Sequence, residues 1–304
     1  MNMKTATKDR PLVIGLGEIL WDLLPAGKQL GGAPANFAYH AHALGAEALV
    51  VSRVGQDALG REILDRLRGL DLRSDGTASD PSAPTGTVNV TLDARGVPTF
   101  TIQQNVAWDF LEAGESALRA AAQADAICFG SLAQRSERSR TSIRKIVAAT
   151  PPGALRIFDI NLRQQFYDRA VVEASLQLAN VLKINDQELP VVAEMLALGG
   201  TVEERLAALS RRCDLRLIAL TRGPQGSLLY SEGRTWNQPA APAPVVDTVG
   251  AGDAFTAGLA LGLLAGWDLA LVNQRANELA AYVCSQAGAT PPLPESLRQA
   301  FALV

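Results

Sequence analysis

The sequence predicts an α/β chain, a three-layer α/β/α sandwich with a mostly parallel central sheet and a small β sheet set apart from it. Three observations predict this. Short apolar runs alternate with longer amphipathic ones over most of the 304 residues, the strand-then-helix rhythm of parallel sheets. Several of the short runs are apolar at every position, as in strands buried on both faces. One stretch, 85–104, breaks the rhythm with strict alternation of apolar and polar residues, the pattern of strands with one dry and one wet face.

The first strand is read at Leu12–Gly17, and Trp21–Leu30 adds an edge to the small sheet. A helix over Ala33–Leu44 opens after Gly31-Gly32 with Pro34 in its first turn, where proline's missing N–H does no harm. Ala48–Val54 reads as a strand and Ala58–Leu70 as a helix. In the alternating region Val88, Val90 and Leu92 share one face, and Thr87, Asn89, Thr91 and Asp93 the other. A turn at Ala94-Arg95-Gly96 follows, and Phe100 and Ile102 return against Thr99, Thr101 and Gln103. That is a β-hairpin. Strands at Ala126–Gly130, Leu155–Ile160, Val181–Ile184 and Leu215–Leu220 then alternate with helices at Ser139–Ala149, Ala170–Leu178, Glu188–Leu198 and Val202–Arg211. Two long helical patterns close the chain, Gly250–Ala265 and Leu269–Ser285, the second with Asp268 placed as its N-cap. One domain over 1–304 is expected, with the small sheet inserted as a lid from about 18–30 and 85–106.

Composition narrows the function. With 48% hydrophobic and 19% charged residues the chain belongs among globular proteins rather than disordered ones. A net charge of −3 does not supply the clustered cations that nucleic-acid binding requires. No apolar run is long enough for a bilayer span, and the polar opening MNMKTATKDR lacks the apolar stretch of a signal peptide. Cys128, Cys213 and Cys284 are far apart among apolar neighbours and read as small buried hydrophobes. The expectation is a cytoplasmic protein with neither nucleic-acid nor membrane partner. There is no G-x-x-x-x-G-K-[ST] phosphate loop and no G-x-G-x-x-G after the first strand, which argues against P-loop kinases and dinucleotide-dependent dehydrogenases. No Cys/His set has zinc spacing, and His40 and His42 sit together on one helix, read as structural or at a pocket rim.

Chemistry concentrates in two segments. The first is Asp247-Thr248-Val249-Gly250-Ala251-Gly252-Asp253-Ala254-Phe255. Glycines there let the backbone turn tightly and aim several N–H groups at one point. The helix they open adds a partial positive charge, worth roughly 0.3–1 kcal/mol on one exposed anionic group. That arrangement suits phosphoryl oxygens, and Asp253 beside it is placed to take a proton from an attacking hydroxyl. Taken alone, the segment also fits, less well, a helix capped by Asp253 and packed on its glycines. The second is Gly31-Gly32-Ala33-Pro34-Ala35-Asn36, a turn that admits a ligand close to the backbone, with Asn36 able to hold hydroxyls. Taken alone, it too fits a structural turn.

Together, Gly17-Glu18-Ile19-Leu20-Trp21-Asp22, Gly31–Asn36 and the Asp247–Phe255 segment resemble, in the same order, the signatures of the ribokinase-like (PfkB-type) carbohydrate kinases, and within them the fructokinase-like ones. The resemblance implies an α/β fold with a β lid, MgATP as donor and a sugar as acceptor. It implies Asp253 as catalytic base, Gly250, Ala251 and Gly252 as anion hole, and Asp22, Gly32 and Asn36 as ligands of sugar hydroxyls. Asp159-Ile160-Asn161-Leu162-Arg163 matches a D-x-N-x-R element, making Asn161 and Arg163 acceptor- or phosphate-side contacts. Asn185-Asp186-Gln187-Glu188 matches N-x-x-E, which implies Asn185 near the phosphates and Glu188 in the water shell of Mg²⁺. Thr221, Gly223 and Gly226 match a nucleotide-side loop, and Asn277 a position near the adenine. Asp247 and Ala287-Gly288-Ala289 lie where many relatives bind a monovalent cation such as K⁺. Independently of the resemblance, Asn161, Asn185 and Thr221 each follow the end of an apolar strand, where ligands gather in parallel sheets.

The function expected is ATP-dependent phosphorylation of a primary hydroxyl, with fructose as acceptor. A 2-keto-3-deoxy sugar acid, ribose or a nucleoside stays open, because Arg163 suits a carboxylate. So does a sensor that binds sugar and nucleotide without turnover. An apolar lid face suggests a homodimer through paired lids, and Val106-Ala107-Trp108-Asp109 is read either as a cover over the sugar or as packing.

Overall fold

The computed structural model describes residues 10–24, 27–92 and 98–302. The expected turn at Ala94–Gly96 and the first nine residues lie outside them. In chain order the strands are β1 (Leu12–Leu16), β2 (Leu20–Leu24), β3 (Gly27–Gly31), β4 (Glu47–Gly55), β5 (Thr77–Asp80), β6 (Thr87–Leu92), β7 (Pro98–Ile102), β8 (Ala126–Phe129), β9 (Leu155–Asp159), β10 (Val181–Asn185), β11 (Leu217–Thr221), β12 (Ser227–Ser231) and β13 (Arg234–Gln238). The helices are α1 (Ala33–Ala43), α2 (Ala58–Gly69), α3 (Glu115–Ala121), α4 (Glu137–Ala148), α5 (Arg169–Leu178), α6 (Glu188–Met195), α7 (Val202–Cys213), α8 (Ala251–Leu264), α9 (Leu269–Cys284) and α10 (Glu295–Ala300).

Nine strands form the central sheet in the order β13-β12-β11-β10-β9-β8-β1-β4-β5. It is parallel except where β12 turns back between β11 and β13. Because side chains alternate across a strand, the two faces collect different sets. Val13, Ala126, Cys128, Ile157, Val181 and Ala219 pack with the helices α1, α8 and α9. Ile14, Leu16, Ile127, Phe129, Phe158, Leu182 and Leu220 pack with α3–α7 on the opposite face. Both sides of these strands are dry, which is why they read as unbroken apolar runs.

The second sheet has the order β3-β2-β6-β7, with β2 parallel to β6 and antiparallel neighbours elsewhere. It forms from the alternating hairpin and from the Trp21–Leu30 edge, as expected. Two side-chain contacts tie it to α2 of the α/β body: the Trp21 indole N–H donates to Leu59 O at 3.1 Å, and Lys28 pairs with Glu62.

Several boundaries differ from expectation for local reasons. The last strand of the parallel run begins at Leu217, not Leu215, because the Leu215 amide closes the end of α7 on Ser210 O behind a left-handed Asp214. The sixth helix stops at Met195, where left-handed Ala197 and the Leu198-to-Ala193 hydrogen bond cap it. β5, β12, β13, α3 and α10 were not expected from the sequence. Among the described residues no helix is long and apolar enough to cross a membrane.

Candidate active site

The sequence brings its polar clusters together at the carboxyl ends of the central strands. α8 begins there on Gly250, whose φ of 80° is left-handed. A Cβ at that position would lie 2.5 Å from Ala289 O, so no other residue fits without moving the 285–289 loop. No side chain caps this helix. The Ala251 amide makes a long 3.3 Å bond to Thr248 O. Among the described residues the amides of Gly250 and Gly252 have no acceptor. The predicted cradle is therefore open at two amides, with the third partly engaged.

Asp253 stands in the first turn of α8, half-buried. Its Oδ2 accepts from Asn36 Nδ2 at 2.8 Å, joining residues 217 apart. Burial pushes the carboxyl up to about 7, with the Asp159 carboxylate adding to the push and Asn36, Lys183 and Arg163 opposing it. A base poised near neutral pH is well matched to taking a proton from a hydroxyl.

Asn36 is held by α1, which starts at Gly32 with φ 109° and no side-chain cap. A Cβ on Gly32 would lie 2.4 Å from Glu18 O, so this glycine permits a close crossing of the chain ends of β1 and α1. Across the neighbouring Gly31 lies Asp22, whose Oδ2 would be 2.3 Å from a Cβ there. Burial raises the Asp22 carboxyl to about 6, and Arg163 draws it back. Asn36 thus touches Asp253 directly, Gly32 opens the helix that carries Asn36, and Asp22 stands across Gly31.

Beyond β9 the chain passes through Asn161, at φ 41°, to Arg163, which is exposed and among the described residues has no ion pair. Glu188 fixes this loop: its Oε1 accepts from the Leu162 amide and its Oε2 from the Asn185 amide, both at 2.9 Å. Asn185 Oδ1 accepts in turn from the Gln187 and Glu188 amides. Both Glu188 oxygens are thus spent on backbone, and only their second lone pairs remain for a water. Among the described residues no three His, Cys, Asp or Glu side chains converge as a metal cage.

Thr221 ends β11 and its carbonyl takes the Asp186 amide at 3.0 Å. Gly223 and Gly226 both have positive φ, and a Cβ on Gly226 would meet Gln238 O at 2.0 Å. Asn277 lies on α9. It is buried, and its Nδ2 donates to Ser227 Oγ at 2.6 Å and to Asn273 O at 2.8 Å. Its amide group ties α9 to β12, which leaves only the carbonyl end for any nucleotide. Asp247 braces two loops, accepting from Val249 N and Gly288 N at 3.0 Å each.

Of the two expected readings of Trp108, packing holds: it is fully buried, with the Arg135 guanidinium 4.0 Å from its ring and Arg135 paired to buried Asp109 at 2.8 Å. His40 is buried and its Nε2 lies 2.9 Å from Ala289 O. Burial lowers it to about 4, against a smaller upward pull from that carbonyl, so it is neutral and structural. Three residues given no role by the sequence stand at the site. Lys183 is buried on β10 and pairs with Asp159 at 3.0 Å. Thr256 donates to the other Asp159 oxygen at 2.9 Å. Glu18 is 3% exposed, has no partner for its Oε2 among the described residues, and is raised to about 7 by burial and by Asp253. A lysine within a doubly buried strand was the available sequence signal for the first, since such a charge needs a partner.

Residues 26–296 match the model of the pfkB family of carbohydrate kinases. A fructokinase of Klebsiella pneumoniae is 32% identical over 261 residues, covering 82% of this chain and 83% of that protein. The crystal structure of an uncharacterised sugar kinase from Pyrococcus horikoshii superposes with a TM-score of 0.84 at 27% identity, covering 96% of this chain and all of that one (100%). The fructokinase of Vibrio cholerae O395, solved with fructose, ADP and calcium ion bound, gives 0.82 at 26% identity over 97% of this chain and 99% of its own.

Proposed function

This chain belongs to the pfkB family of carbohydrate kinases and is an ATP-dependent sugar kinase, and from that premise we propose that it phosphorylates a primary hydroxyl of fructose with Asp253 as base. The observation that carries the proposal is the Asn36–Asp253 hydrogen bond of 2.8 Å. It joins the segment that would hold the sugar to the helix start that would hold the phosphoryl group. The acceptor lies between Asp22, Gly32 and Asn36. Its hydroxyl proton passes to an Asp253 oxygen as the hydroxyl oxygen bonds to the γ-phosphorus, and the bond from that phosphorus to the ADP oxygen breaks. The Gly250 and Gly252 amides receive the charge on the phosphoryl oxygens.

Asn185, Thr221, Gly223 and Gly226, with the carbonyl end of Asn277, lie on the nucleotide side of this reading. A Mg²⁺ ion would arrive with ATP and neutralise its phosphates, and Glu188 would meet it through water. Asp247 and the 287–289 loop are the place for K⁺, which ADP release measured with and without that ion tests. The small sheet would close as a lid and exclude competing water. Two copies would pair through their lids as a homodimer, and a monomeric mass in solution removes that part.

Fructose is favoured over a sugar acid by charge. The Arg163 charge acts on three carboxyls, Glu18, Asp22 and Asp253, so acids outnumber the cations there, Arg163 and Lys183, and a further carboxylate is disfavoured. The Arg163 guanidinium, which among the described residues has no ion pair, favours a 2-keto-3-deoxy sugar acid. ADP release from ATP over fructose, ribose, a nucleoside and that acid decides. Fructose is expected to give the highest kcat/KM, and a tenfold preference for the acid overturns the assignment.

A further inference from the structure

We propose that Lys183 is a positioning residue for phosphoryl transfer: a buried cation, fixed behind Gly252, that strengthens the anion cradle at the start of α8. The inference rests on the proposed location of the phosphoryl group over residues 250–252 and adds to it a charge no signature contains.

The geometry is specific. A Cβ built on Gly252 would lie 3.1 Å from Lys183 Nζ, with no other atom within 4 Å except the lysine's own Cε. The ammonium therefore sits close against the helix start, where a side chain at position 252 would press on it. Lys183 is 6% exposed. Among the described residues its one hydrogen-bond acceptor is Asp159 Oδ1 at 3.0 Å. An ammonium carries three N–H donors, so two are uncommitted within a site where unpaired donors are costly. The other Asp159 oxygen, Oδ2, faces Thr256 Oγ1 at 2.9 Å, a hydroxyl that also lies 2.9 Å from Gly252 O.

Two physical arguments separate this from a strand-to-strand strut. A cation at a helix N-terminus opposes the helix dipole, so for stability alone Lys183 sits at the wrong end of α8. An apolar pair of similar volume would also join β9 to β10 at no loss, since buried ion pairs are commonly replaceable that way. Both penalties reverse when an anion occupies the cradle. The dipole and the ammonium then act on the same charge, in a site that excludes water, and both are in place before the reaction begins. Burial would drive the ammonium toward its neutral form, but the carboxylates of Asp159, Glu188 and Asp253 outweigh that and hold it protonated.

The test compares ground-state and transition-state affinities in the full-length protein. Lys183→Met is assayed for kcat and KM, and for binding of MgADP alone and of MgADP with aluminium fluoride and fructose, which mimics the transferring phosphoryl group. The expected result is a kcat lower by roughly 10²–10³-fold, KM values for ATP and sugar within about threefold of the unsubstituted protein, and a matching loss confined to the aluminium fluoride complex. If Lys183→Met does not fold, because Asp159 is left buried and unpaired, the Lys183→Met/Asp159→Asn double variant removes that charge and carries the same expectations. A kcat within threefold, or an equal loss of affinity for both complexes, overturns the proposal. Asp253→Asn measured alongside reports on the base separately, so that failure of the parent reading is told apart from failure of this one.

Discussion

At the scale of single residues, the site is a set of carboxyls held away from water. Asp253 raised to about 7 must be ionised to accept a proton, so kcat/KM should climb through a pH near 7 rather than near 4. Asn36→Ala removes a donor that favours the charged form, and the acidic limb should then move to higher pH. A pH profile of kcat/KM for both proteins checks this, and an unmoved limb would detach Asn36 from the base. Asp253→Asn should lower kcat by roughly 10²–10⁴ with ATP binding nearly unchanged. Asp253 and its glycines were legible in the sequence because their spacing is dense and their residue types have few other uses. Lys183 and Glu18 were not, because each reads as one polar letter inside an apolar strand or turn. Their importance comes from what the fold packs against them, Asp253 for Glu18 and Asp159 with Gly252 for Lys183, partners that a single polar letter does not name.

At the scale of elements, the strands buried on both faces and the long helices were legible from unbroken apolar runs and helical periodicity. β5 was not, because Thr77-Ala78-Ser79-Asp80 has no apolar run, and it is a strand only through its register on β4. The β12–β13 hairpin turns on left-handed Glu232 and Gly233, a turn chemistry that favours glycine at only one of its two positions here. The helix starts at Gly32 and Gly250 show how element geometry could become chemistry, since neither has a side-chain cap and amides there would be free for a ligand under the proposed reading. Gly250→Ala would place a methyl 2.5 Å from Ala289 O at positive φ. It should lower stability by about 1–3 kcal/mol and reduce kcat together with it, as read from Tm and steady-state rates. An alanine variant with unchanged Tm and turnover would show that the 285–289 loop yields freely.

At the scale of the whole molecule, stability and activity make opposite demands on pH. Glu18, Asp22 and Asp253 are all raised above their unfolded values, to about 7, 6 and 7. Groups of this kind favour the fold fully below the unfolded carboxyl range, and that contribution is lost as pH rises through the folded values. Stability should therefore fall between about pH 4 and pH 7, the interval in which the base gains its charge. Glu18→Gln should remove one part of that loss, on the order of 3 kcal/mol at pH 8, and raise Tm there more than at pH 5. A parallel pH dependence of Tm in both proteins would place the burden elsewhere. The Asn36–Asp253 bond has one further implication. It closes across 217 residues, and His40 and Tyr39 reach farther still, to Ala289 and Pro291. An emerging polypeptide would hold its sugar-side half long before the ribosome delivers the phosphate-side half. Premature truncations should be inert toward ATP, and the appearance of turnover during cell-free translation would time the completion of synthesis rather than the folding of any earlier portion.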